Sequence, residues 1–335
     1  AAAALATAAP VRRRPDCDPK ELSREEVRRS TAGPGPGVRW LLQASELNRN
    51  QPPSPCPELL PHRRIYTDLL LAHRDGTLCV LGDAVQTRAS STVEMLRRSL
   101  ALLRTPGRQL PPFCGMRIGL SDVASGQFMA YSGWVHPSGT NIPDFTLMHW
   151  REAGVCPDFN GLVREMGIRS QRPPLLRKCG WVGAVNSYPR IRFINTSLGR
   201  PELLEAIWPK ENEGMARGRL SMEDQVSRYA CLLDAKGEGY SGRVPMLLHS
   251  GRPLLYVARS TEFFFDRTFY AYHLPEKLEP WKHFVPVRQD VRDLEERLEW
   301  VLSPANAEKV RRITDNAKRF AQKYLTTEAA VEYLA

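Results

Sequence analysis

The sequence predicts an α/β protein of two domains, on three observations. Its 335 residues exceed what one hydrophobic core usually supports, so two units of roughly 150 residues each are expected. From about residue 166 onward, apolar strand-like runs alternate with amphipathic helix-like runs, the pattern of a parallel sheet covered on both faces. No stretch approaches the 18 or so consecutive apolar residues of a membrane span, and no solenoid period repeats. The expectation is therefore a chain without a membrane span.

Taken in order, residues 1–61 hold ten prolines, including "GPGPG" and "QPPSPCPELLP", and read as an arm interrupted by one helix-like piece, "DPKELSREEVRRS". Ordered folding is expected from "RRIYTDLLLAHRDGTLCVLGDAV", where Asp75-Gly76 between two apolar runs signals a hairpin turn. "SSTVEMLRRSLALLRTPG" reads as a helix opened by a Ser91/Glu94 capping box and closed by Pro-Gly. "GMRIGLSD", "GQFMAYSGW" and "DFTLMHW" are expected strands. In the second half, "LRKCGWVGAV" reads as strand then loop, "MEDQVSRYACLLDA" as helix into strand, and "GRVPMLLHSG" as a short helix. "RPLLYVA" and "HFVPV" follow as strands, then a helix capped by Asp290 and another opened by Ser303-Pro304 that runs to about Leu325.

The net charge of +10 is unevenly placed. Gly167 to Pro201 contains seven basic residues and no acidic one. A basic helix or tail would suit nucleic acid, whereas a focus in a Gly/Pro-punctuated segment favours a local anion site and no nucleic-acid partner. The seven cysteines are dispersed, without C-x-x-C or zinc-type spacing, so a structural metal is not expected and the redox compartment stays open. Asp16-Cys17-Asp18 is an Asp-x-Asp triplet, but it lies in the arm with no strand before it.

The stretch with most chemistry in it is "LDAKGEGYSGRVPMLLHSG", where Gly237, Gly239 and Gly242 form G-x-G-x-x-G. As a nicotinamide fingerprint it needs an apolar strand before it, a full helix after it and an acid about 20 residues on. Glu262 is the acid available; Asp234 and Lys236 interrupt the strand, and the helix is short. As a diphosphate cradle it needs less: glycines that let the backbone approach an anion, the Ser241 hydroxyl and the Arg243 guanidinium.

The surrounding residues favour the second reading. Asp234, Gly237, Gly239, Ser241 and Arg243 match Asp-x-x-Gly-x-Gly-x-Ser-x-Arg. Leu278, Pro280, Trp281, His283, Pro286, Val287 and Asp290 match Leu-x-Pro-Trp-x-His-Tyr-x-Pro-Val-x-x-Asp, with Phe284 in the Tyr position. Over residues 180–325 the chain resembles glycosyltransferase family 90, which includes a fungal capsule-associated xylosyltransferase and the protein O-glucosyltransferases. The resemblance implies a GT-B-like α/β fold of two Rossmann-like domains with a cleft between them. It implies metal-independent, inverting transfer of a glucose- or xylose-type sugar from a UDP-sugar to a hydroxyl on a protein or polysaccharide, with no cofactor beyond that donor. It also implies a lumenal setting in the Golgi or endoplasmic reticulum.

Carried onto this chain, the resemblance places the nucleotide against Gly183, Asn186 and Arg190 or Arg192 from "GWVGAVNSYPRIRFI", and against Asp234, Gly237, Gly239, Tyr240, Ser241, Gly242 and Arg243. Glu262 stays a further contact. The general base is expected at Glu152, in "IPDFTLMHWREAG", one residue earlier than the family's acid. The implied layout is an arm at 1–61, an acceptor-side domain at 62–165, a nucleotide-sugar domain at 166–325 and a tail at 326–335. Val182 and Ala230 stand where family members commonly carry Arg and Lys, with Arg228 as the nearest substitute. Those departures support a second reading, a catalytically degenerate sugar-nucleotide or glycan binder; an NAD-dependent oxidoreductase is the third.

Overall fold

The structure, a computed structural model, describes residues 38–43, 68–74, 77–82, 87–103, 113–120, 129–131, 142–150, 153–208, 220–237, 241–257 and 278–335. In the first half, strands β1 (Val38–Gln43), β2 (Asp68–Arg74), β3 (Thr77–Gly82), β4 (Phe113–Gly119) and β5 (Met129–Ala130) form one sheet in the order β1-β3-β2-β4-β5. β2 and β3 pair antiparallel with Arg74 opposite Thr77, the hairpin that Asp75-Gly76 predicts. β1 lies inside the stretch expected as an arm and pairs antiparallel with β3 at the sheet edge.

This sheet departs from a Rossmann-like unit. Its β1–β3, β2–β3 and β2–β4 pairings are antiparallel, and only β4–β5 is parallel. A two-residue connection such as 75–76 can join antiparallel strands but is far too short for a parallel crossover.

Helix α1 (Thr87–Leu102) covers this sheet. It starts four residues before the expected Ser91 cap: Ser91 is buried within it and donates to Phe145 O at 2.5 Å. Glu94, the other half of the expected capping box, instead pairs with Arg97 and Arg98. "DFTLMHW" is not a strand. Asp144 accepts from Thr146 N at 2.7 Å and caps a 3-10 turn at Phe145–Leu147, so a local side-chain bond won over a short apolar alternation.

The second half is the parallel sheet the alternation predicts. β6 (Leu176–Val182), β7 (Leu204–Ile207), β8 (Tyr229–Asp234), β9 (Leu254–Val257) and β10 (Val285–Val287) lie in the order β10-β9-β8-β6-β7, every pairing parallel. Helices α2 (Phe159–Ser170), α4 (Met222–Arg228) and α5 (Val244–His249) share one core with Tyr229, Leu232 and Leu254. α3 (Tyr188–Gly199) and α6 (Leu294–Leu302) share the other with Cys179, Trp181, Cys231 and Leu233. Both faces are covered, which is why "YACLLDA" is nearly continuously apolar. α7 (Ala307–Tyr324) contributes to both cores, and Asp293 rather than Asp290 sits at the start of α6.

One boundary expected from sequence falls inside an element, and one expected tail is structured. α2 spans residue 165/166 and packs with the second sheet. Residues 326–335, expected as a tail, carry helix α8 (Thr327–Leu334), whose Thr327 donates to Leu147 O at 2.5 Å and whose Val331 O accepts from Ser99 at 2.9 Å. No described helix is long and apolar enough to cross a membrane.

β6 is held to its neighbours by a close approach at Gly180. The Tyr229 ring on β8 lies over Gly180, and its hydroxyl reaches Glu205 on β7 at 2.7 Å. A Cβ at Gly180 would stand 2.0 Å from Tyr229 Cδ2. Gly180→Ala is therefore expected to cost about 1–3 kcal/mol of stability, the scale of core overpacking, and chemical denaturation would measure it. The partner variant Gly180→Ala/Tyr229→Leu should recover part of the loss.

Candidate active site

In a parallel sheet of this strand order, β6 and β8 are adjacent but their connections leave in opposite directions, and ligands settle at the carboxyl ends of such a pair. The backbone pairing of β6 with β8 runs through Cys179↔Cys231 and Gly180↔Leu232. A Cys179–Cys231 disulfide joins the same two strands. Beyond Gly180 the two strand ends are bridged by side chains.

Two arginines make those bridges. Arg243, at the start of α5, donates through Nη1 to Val182 O at the end of β6 and through Nη2 to Asp234 Oδ1 at the end of β8, the latter at 2.5 Å. Asp234 is fully buried and the Arg243 side chain is 13% exposed. Arg190, on α3 and 8% exposed, donates to Ala184 O at 3.1 Å, Asn186 Oδ1 at 2.8 Å and Ala235 O at 3.1 Å. Its guanidinium also stands 5.9 Å from the Trp181 ring centroid. Ser187, at the N-cap of α3, donates to Lys236 O at 2.9 Å and adds a third tie.

The expected site residues divide accordingly. Gly183, Asn186, Gly237, Ser241, Gly242 and Arg243 lie on the segments that leave β6 and β8, Asp234 ends β8 itself, and Arg190 stands in the first turn of α3. Ser241 is buried. Arg192 does not join them: two residues after Arg190 on α3, it faces solvent, since successive helix positions two apart differ by roughly 200°. Gly239, Tyr240, Glu262 and Glu152 lie outside the described residues. So do the aromatic run 263–272 and the Asp16-Cys17-Asp18 triplet. Two described residues, one on either side of Glu152 in the sequence, Trp150 and Val155, pair with each other, Trp150 N donating to Val155 O at 3.0 Å and Val155 N to Trp150 O at 2.9 Å.

Arg243 is half of a buried ion pair, with two of its five N–H donors committed. α5 is also short, six residues, so its dipole adds little. Arg228, the nearest replacement for the missing Lys, is committed elsewhere. It forms a two-pronged pair with Glu205 at 2.8 and 3.1 Å, and that hydrogen bonding holds the Glu205 carboxyl below the usual range.

The basic run 167–201 is likewise partly spoken for. Arg169 pairs with Glu165 and Asp224. Arg200 is shared by Glu202, Glu295 and Glu299, two of which lie in α6, out of sight of a local sequence window.

His283, from the Pro-Trp-x-His stretch, is a turn-former. Its Nδ1 accepts from Glu279 N at 2.9 Å and its ring packs against Phe320 at 4.8 Å. The turn puts Trp281 at φ 63°, and this residue's ring sits between Trp300 at 5.1 Å and Arg297 at 5.1 Å, contacts that offset the backbone strain.

Among known proteins, the chain is 30% identical over 126 residues to uncharacterized protein 179R of Invertebrate iridescent virus 6, covering 37% of this chain and 10% of that protein. It is 28% identical over 174 residues to uncharacterized protein 035R of Invertebrate iridescent virus 3, covering 47% of this chain and 15% of the other. It thus spans a small part of the length of these curated relatives. The crystal structure of TarM overlaps 52% of this chain and 31% of its own with a TM-score of 0.28 and 12% identity, a likeness too slight to carry an argument. Residues 129–335, well over half the sequence, match glycosyl transferase family 90, and the chain belongs to that family of glycosyltransferases.

Proposed function

We propose that the protein moves a glucose- or xylose-type sugar from a UDP-sugar to a hydroxyl on a protein or polysaccharide acceptor, with inversion and without a metal. The observation that carries this reading is the pair of arginines bridging the carboxyl ends of β6 and β8. The three N–H groups that Arg243 keeps are enough for a two-point contact with phosphate oxygens, with the Ser241 hydroxyl and the loop at Gly183 and Asn186 beside it. In the transfer step the acceptor hydroxyl attacks the anomeric carbon and gives its proton to Glu152. The bond from that carbon to the β-phosphate oxygen breaks with its electron pair going to UDP. The guanidinium groups meet the charge that develops there. The Cys179–Cys231 disulfide supports an oxidising compartment such as the secretory lumen.

A second reading, a sugar-nucleotide binder without turnover, is favoured by one observation: the Arg228 guanidinium is committed to Glu205, leaving the missing family cation unreplaced. One experiment separates the two. UDP, UDP-glucose and UDP-xylose should raise the melting temperature, because a ligand that binds only the folded state stabilises it, while NAD should not. UDP-sugar hydrolysis by the wild type, lost in Glu152→Gln with UDP binding intact, identifies the enzyme. Binding with no hydrolysis or transfer identifies the binder, and a shift with NAD alone rejects both.

A further inference from the structure

Gly242 stands in the glycine array as if to make room for an anion, yet the space beside its Cα is filled by the other half of the protein. A Cβ there would lie 3.0 Å from Thr146 Cγ2, 3.3 Å from Trp150 Cζ3 and 3.7 Å from Asp144 Oδ2. All three neighbours belong to the segment 142–150. Neither close neighbour is a loose side-chain tip: Thr146 is fully buried in the 3-10 turn that Asp144 caps. The Trp150 ring meets Phe145 edge-on at 5.5 Å. Its backbone is pinned as well, by the two bonds with Val155 and by Ala153 N at 3.0 Å.

One residue therefore does two things. Trp150, two residues before Glu152 in the sequence, is tied through its backbone to Val155, and it rests its ring on the residue between Ser241 and Arg243. We infer that Gly242 is the seat on which the base-bearing segment docks, and that Trp150 is a positioning residue that sets the distance between the general base and the donor site. This rests on the proposed function for the identity of base and donor site. The lack of a side chain at 242 serves protein–protein packing within the chain, and the anion is left to Ser241 and Arg243. Displacing a reacting group by about 1 Å can cost as much as 10²-fold in rate, so the contact controls turnover more than affinity.

The test is Gly242→Ala, alone and with Thr146→Ser, which removes the methyl that an added Cβ meets first. Gly242→Ala should lower the turnover of UDP-sugar about tenfold while UDP affinity stays within about twofold of wild type, the split expected when geometry and not ground-state binding is lost. The double variant should regain most of that turnover. Independently of activity, hydrogen exchange at the Trp150 and Val155 amides should quicken in Gly242→Ala and slow again in the double variant. A fall in UDP affinity at unchanged turnover overturns the inference, as does unchanged amide exchange in Gly242→Ala or a double variant no better than the single. Failure of the wild type to bind UDP strikes the functional reading alone, and the exchange measurement still decides the docking.

Discussion

Arg243→Ala is expected to lower the unfolding free energy by about 3–5 kcal/mol, because it leaves the Asp234 carboxylate fully buried and without its counter-charge. Asp234 has nowhere else to turn: its Oδ2 has no hydrogen-bond partner among the described residues, and it sits at the end of a central strand. The same substitution should weaken UDP binding by more than about tenfold, the scale of a lost charge-assisted contact. The two losses are separable. Replacing both members, as in Arg243→Met with Asp234→Leu, removes the orphaned charge and should return most of the stability, since apolar side chains of similar volume often match or exceed a buried ion pair. UDP affinity should not return with it. Denaturant melts and calorimetric UDP titrations on the single and double variants check this, and a double variant that binds UDP as the wild type does would reduce Arg243 to a strut.

Lowering the pH from 7.5 to 5 is expected to destabilise the protein by about 2 kcal/mol through His249 alone. This imidazole is 3% exposed, packs edge-on against Phe159 at 5.6 Å, and is bonded through Nε2 to Leu325 O at 2.9 Å. Burial pushes its pKa down to about 4 from the ordinary 6.5, with Lys318 adding to the fall. The unfolded chain takes up a proton near pH 6.5 that the folded protein refuses until about pH 4. Stability is therefore complete above pH 6.5 and is lost progressively as the pH falls through that window, by on the order of 3 kcal/mol once both states are protonated. His249→Gln keeps a neutral donor for Leu325 O and removes the titration. Its urea midpoint should vary less between pH 7 and pH 5 than that of the wild type, and equal slopes for the two proteins would contradict the assignment.

Much of the second sheet could be read from local pattern, because a strand buried on both faces announces itself as an apolar run: "YACLLDA", "RPLLYVA" and "HFVPV" all became strands. α3 could not be read so easily. "NSYPRIRF" looks like a punctuated loop, although Pro189 in the first turn is where a helix tolerates proline. Had the helix been recognised, its period would have separated buried Arg190 from exposed Arg192.

The site was legible as a set of residue types and not as a set of contacts. Asp234 and Arg243 were both marked by the family pattern, but that they pair with each other depends on how β8 and α5 meet across the connecting loop. Gly242 was read through the habits of glycine in phosphate loops. Its neighbours, Thr146 and Trp150, lie almost a hundred residues earlier, and no local window relates them. The first sheet was misjudged for the opposite reason, since a correctly read hairpin at 75–76 already argued against a parallel unit there.

The return of α8 to the first half also bears on how the chain reaches this structure. Thr327 bonds to a carbonyl 180 residues earlier, and Val331 accepts from a serine 232 residues earlier. Ala330 and Val331 share a core with Met95 and Leu147. On a ribosome, that core stays open until these residues emerge, leaving Met95 and Leu147 exposed to other chains while the rest is made. Contacts closed across so long a span make for slow folding, and a nascent chain halted before residue 327 is the form of this protein most in need of a chaperone.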